Sequence, residues 1–159
     1  MRVLSSASAL AACLWAGAAA AAPFHDQIVG CLSAMQSDED WAGCRVAMFA
    51  PCPTEVVGSD PHVACLRKEV DAWEAYLQER HTRLSEQLPG DRVVELTMLV
   101  GQWRGYVKNQ CAAVAARNPE AGEAAALGCR ISEIAGLATE MASCEAGYSQ
   151  EPYCTLKDE

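Results

Sequence analysis

Apolar side chains recur along this chain at intervals of three, four and seven, and no alternating apolar stretch long enough for a useful strand occurs. The longest helical pattern covers residues 61–88. There Val63, Leu66, Val70, Trp73, Leu77 and Leu84 fall on one stripe. Ser59 and Asp60 are residue types that cap a helix start, Pro61 suits a first helical position, and neither Pro nor Gly interrupts the run before Pro89. At 1.5 Å rise per residue this helix would be about 40 Å long. A stripe of that length needs partners along all of it, so the rest of the chain is expected to organise around it.

A second long helix is expected from Asp91, with Asp91 as its cap. Val93, Leu96, Val100, Trp103, Val107, Cys111 and Val114 keep the three-four spacing. Gly101 and Gly105 sit inside that run, each costing up to about 1 kcal/mol relative to Ala, and close packing on another helix is the expected reason for them. Asn118-Pro119 marks a turn. A third, alanine-rich helix is expected over 119–144, with Leu127, Ile131, Ile134, Ala138 and Met141 on its stripe. Upstream, 24–36 reads as a short helix with Ile28, Val29, Leu32 and Met35 on one side. Ser37, Asp38, Glu39 and Asp40 then cap a second short helix over 39–49, which carries Trp41, Val46 and Phe49 and is stopped by Pro51 and Pro53. Residues 53–60, with Gly58, read as loop, and the tail from Gly147 as polar and extended. The expected fold is all-α: a small disulfide-stapled helical bundle, three longer helices running up and down, preceded by two short ones.

Residues 1–21 change the context. Arg2 precedes an apolar run that ends in alanines, with cleavage expected after Ala20 or Ala21, so the segment reads as a signal peptide. It is short for a membrane span and has no stop-transfer flank, so no spanning segment is expected. Leu10-Ala11-Ala12-Cys13 has the form of a lipoprotein box, but the chain stays apolar well beyond Cys13, which favours a soluble exported protein, periplasmic or secreted. Residues 22–159 then form one domain, long enough to bury a core.

Export makes the cysteines disulfide candidates. Cys13 leaves with the signal, and Cys31, Cys44, Cys52, Cys65, Cys111, Cys129, Cys144 and Cys154 remain. Cys31 to Cys44 and Cys52 to Cys65 have equal spacing, like a repeated small loop. Cys111 and Cys129 flank the turn at Asn118-Pro119, so a helical hairpin would bring them together; Cys144 is left to close a C-terminal loop with Cys154. Loops of this size contribute about 3 kcal/mol each in the chain-entropy picture. No C-x-x-C pair is present, and of His25, His62 and His81 only His62 lies near a cysteine, three before Cys65, so neither a metal site nor a thiol oxidoreductase is expected.

The formal net charge is −9, one unit more negative once Arg2 is removed, and it is spread along the helices. That disfavours nucleic acid and anionic lipid as partners and mildly favours a basic protein. Glu69 with Glu74, or Asp38 with Asp40, could be taken for the paired carboxylates of a glycosidase, but acidic residues on a solvated helix are far commoner. No enzyme activity and no cofactor are expected.

One resemblance gives a more specific expectation. Cys65, Glu69, Trp73, Glu74, Leu77 and Gln78 are spaced like the Cys…Trp-Asp-x-x-Leu-Asn signature of the lysozyme inhibitor LprI-like N-terminal domain family, with Glu74 and Gln78 where that family has Asp and Asn. Trp103, Tyr106 and Cys111 are similar to its Trp-x-x-Tyr/Phe…Cys block, with Val107 and Lys108 in place of an Arg-Asp pair, and Cys129 stands where its last cysteine falls. The likeness covers about residues 52–144. It implies an exported, helical, disulfide-bonded protein that binds and inhibits a lysozyme-type muramidase; the alternative is an envelope interaction module with no such inhibition. Trp73 and Trp103 share stripes with aliphatic residues and are expected in the core. Glu74 and Gln78 are expected to bridge to a neighbouring helix, and Trp41 is the aromatic expected to meet a partner. The sequence sets no oligomeric state.

Overall fold

A computed structural model describes residues 22–34, 52 and 56–146 of the chain. Within them lie α1 (Ala22–Ser33), α2 (Asp60–Gln87), α3 (Gly90–Arg117) and α4 (Gly122–Ala146), and the fold is an all-α bundle. The expected second short helix, the signal segment and the C-terminal tail fall outside the described residues.

α2 starts from a tight turn. Gly58 has φ +82°, which a side-chain-free residue adopts without strain. Ser59 N–H donates to the Val56 carbonyl at 3.1 Å, and Gly58 N–H donates to His62 Nδ1 at 3.1 Å. Ser59 occupies the N-cap position with Pro61 in the first turn, but its side chain makes no capping bond. All six residues of the stripe read from the sequence are buried, and Ala72 and Tyr76 widen it. On α4 the whole expected stripe, Leu127, Ile131, Ile134, Ala138 and Met141, is buried as well. Each such aliphatic side chain contributes on the order of 1.5–3 kcal/mol by leaving water.

The ion pairs give the directions. Arg67 pairs with Glu123, Arg130 with Glu74 and Arg80 with Glu145, so positions on α2 and α4 rise together and the two helices run parallel. Cys111–Cys129 and the Gln110 to Glu133 hydrogen bond (3.0 Å) run in the opposite sense, which makes α3 and α4 an antiparallel hairpin. Up, down, up is the expected order. α4 packs on both α2 and α3, and α1 rests on α2, placing Ile28 and Leu32 in the core. The axis of the bundle is therefore the α2–α4 seam and not α2 alone.

Two helix starts differ from expectation. Pro89, not Asp91, holds the N-cap position of α3; Asp91 lies in the first turn, where its charge still meets the positive end of the helix dipole. α4 begins at Gly122, because Pro119 and Glu120 complete a turn closed by Ala121 N–H on the Asn118 carbonyl at 3.1 Å.

The packing of α3 is the larger correction. Its inner stripe buries Leu96, Val100, Val107 and Cys111. Gly101 and Gly105, expected to admit a close helix, instead face open space: a Cβ added at either would meet nothing within 4 Å.

Candidate functional site

Four cysteines pair as two described disulfides. Cys52–Cys65 (Cα–Cα 5.7 Å) ties the incoming chain to the first turns of α2, and Cys111–Cys129 (5.5 Å) pins the α3–α4 hairpin as the turn at Asn118 predicts. Cys31 and Cys144 are also disulfide-bonded. The expected partners Cys44 and Cys154, like Cys13 and Trp41, lie outside the described residues.

The residues of the family resemblance divide between core and surface. Trp73 and Leu77 are almost completely buried, and the Trp73 ring meets Tyr76 edge to face at a centroid distance of 6.2 Å. Arg80 lies 4.9 Å over the Tyr76 ring and pairs with Glu145 of α4 at 2.6 Å. These side chains hold the α2–α4 seam together. Gln78 is exposed and Trp103 half-buried, while Tyr106 is 61 % exposed.

Glu69 and Glu74 do not share a cleft. Glu69 is only 3 % exposed, and its Oε1 has no hydrogen-bond partner. Its Oε2 lies 3.7 Å from Cys52 Sγ, which is spent in a disulfide and has no proton to donate. Burial pushes this carboxyl up to about 7, with a hydrogen bond from Trp73 pulling the other way. Glu74 sits at the surface, where Arg104 of α3 (3.4 Å) and Arg130 of α4 (3.5 Å) both reach it, so one carboxylate links the three long helices. The bridging role expected for Glu74 is present; the exposed Gln78 side chain makes no such bridge among the described residues. His81, one turn beyond Leu77, is half-buried and its imidazole is pushed down by burial and by Arg104. Among the described residues no three His, Cys, Asp or Glu side chains gather as metal ligands.

Two surface features stand apart from the core. The first is the outward side of α3. Val94 (68 % exposed), Met98 (55 %), Gly101 and Gly105 recur there at spacings of four, three and four, with Leu99 (44 %) and Tyr106 beside them. The second is a groove of about 460 Å³ where α3 meets α2 and α4, walled by Trp103 and carrying Glu74, Arg104, Lys108 and Arg130. The sequence reading missed most of both. A second apolar stripe on α3, out of phase with the Leu96–Val100–Val107 stripe, was the legible signal for the first. The groove had no signal, since its charges come from three helices.

No family model matches the chain, and neither a curated protein nor a solved structure does.

Proposed function

We propose that the chain is an exported binding protein that works by protein–protein association through the outward side of α3, and that its partner is a lysozyme-type muramidase. The observation that carries the reading is the set of large apolar side chains, Val94, Met98, Leu99 and Tyr106, exposed together on a helix whose other side is packed. Such a set on a folded domain marks a contact surface more readily than isolated exposed residues do. Disulfide bonds on α2, α3 and α4 fit an oxidising compartment. No described helix is long and apolar enough to cross a membrane. The muramidase comes from the family resemblance, and the net charge of −9 suits a basic enzyme.

One observation favours the second reading, an envelope interaction module with no effect on muramidase. Val94, Met98, Leu99 and Tyr106 are apolar side chains, and the exposed carboxylate beside them, Glu95, is already paired with Arg92 at 3.1 Å, a surface suited to an apolar patch on a structural partner. The two readings separate on Met98→Lys and Tyr106→Ala. Under the first, both substitutions reduce muramidase inhibition at least tenfold while the fold is retained. Under the second, wild type leaves the enzyme rate unchanged, and the same substitutions abolish a cross-link to an envelope protein. Muramidase inhibition undiminished by both substitutions would remove α3 from the account.

A further inference from the structure

The groove beside Glu74 gathers cations from two helices over an apolar floor. In a chain of net charge −9, three cations converge on it against one carboxylate. Arg104 and Lys108 stand one turn apart on α3, and Arg130 comes from α4. Glu74 takes up two of the three loosely: its contacts of 3.4 and 3.5 Å are well beyond the roughly 2.7–2.9 Å of a tight charge-assisted bond. Both arginines remain more than two-fifths exposed, and Lys108 is exposed with no ion pair among the described residues. The two guanidinium groups are thus held loosely by Glu74, and all three cations keep hydrogen-bonding capacity toward the groove.

Beneath them the groove is apolar. Ala112 and Ala126 face it with one methyl each, which is what leaves the hollow, and Trp103 forms a half-buried aromatic wall. Its volume of about 460 Å³ falls in the range of small-molecule sites, roughly 300–1,000 Å³. A cationic rim over an apolar floor selects a molecule with both features.

We propose that this groove binds an amphipathic monocarboxylate, an unbranched apolar chain ending in one carboxylate, with the head group taken by Lys108 and the free N–H groups of Arg104 and Arg130, and the chain laid toward Trp103. Lys108 and Ala112 continue the three-four spacing of Gly101 and Gly105, but Lys108 stands ten residues beyond Met98, about 15 Å along α3, so the site is separate from the Val94–Met98 end of the protein contact proposed above.

Octanoate is the probe, with 1-octanol as the control of equal chain and no charge, both titrated below their solubility limits into oxidised protein spanning residues 22–159. Binding is read by calorimetry and by the Trp103 indole N–H resonance, assigned through Trp103→Phe. Octanoate is expected to bind one to one, shift that resonance and weaken as salt is raised, while octanol binds at least tenfold more weakly. Lys108→Met, at an exposed position, is expected to cost octanoate binding at least fivefold with an unchanged melting temperature, and Met98→Lys is expected to leave it unaltered. Equal affinity for octanoate and octanol, an unmoved Trp103 resonance at saturation, or full affinity in Lys108→Met would each overturn the proposal. A protein that binds octanoate yet ignores every muramidase would keep this site and lose only the partner.

Discussion

At the scale of single residues, Glu69 makes the clearest statement about pH. Its carboxyl titrates near 7 in the folded chain against 4.5 in the open one. Between those values the unfolded state releases its proton while the folded state keeps it, so stability is fully present below the lower value and declines as pH rises toward 7. The loss amounts to at most about 3 kcal/mol. Glu69→Gln removes the titration. Denaturant unfolding at pH 4.5 and pH 8 is therefore expected to show a difference between the two pH values that is larger in wild type than in Glu69→Gln, by about 1–3 kcal/mol; an equal difference in both proteins would show that the carboxyl ionises freely. Glu74 behaves differently. It is part-exposed and its partners are solvated, so Glu74→Gln is expected to cost less than about 1 kcal/mol although it ties α2 to two other helices. Nothing in the sequence separated these two glutamates. Both lie in one helical run, and only the approach of Cys52 to Glu69 and of Arg104 and Arg130 to Glu74 makes one carboxyl a buried acid and the other a surface bridge.

At the scale of elements, helix periodicity did most of the work. The stripes of α2 and α4 were legible because the long seam between the two helices buries every residue the spacing picked out, while α1 and α3 widen the buried faces beyond it. The Cys111–Cys129 bridge was legible for a related reason: a turn at a known place fixes what lies opposite on a hairpin. Removing it as Cys111→Ser with Cys129→Ser is expected to lower stability by about 2–4 kcal/mol in equilibrium unfolding, and an unchanged midpoint would mean that packing alone holds α3 on α4. α3 was misread at its glycines because it carries two apolar stripes, and the expectation treated the chain's interior as the only place a helix can meet another. With open space around both, Gly105→Ala is expected to raise stability by about 0.4–1 kcal/mol, as a mid-helix glycine does when nothing obstructs the methyl. A loss of stability instead would place an intramolecular contact against that face.

At the scale of the whole molecule, most of the core and the exposed apolar stripe lie on different helices. The core is complete along α2 and α4, while α3 is packed on one side and open on the other. The all-α class and the helix order followed from periodicity; the proposed contact surfaces did not, since a surface site depends on which faces stay uncovered and on charges that meet from separate helices. Under the proposed function, the pairing of an acidic chain with a basic enzyme, and of an apolar stripe with an apolar patch, would give affinity that salt reduces but does not abolish. The most direct measurement is a titration of oxidised protein spanning residues 22–159 against muramidases of several types at low and high salt, beside its Met98→Lys variant. The account predicts inhibition of one type near one-to-one stoichiometry, weakened by salt and reduced at least tenfold in the variant. Folded protein with its thiols paired that inhibits none of them would contradict it.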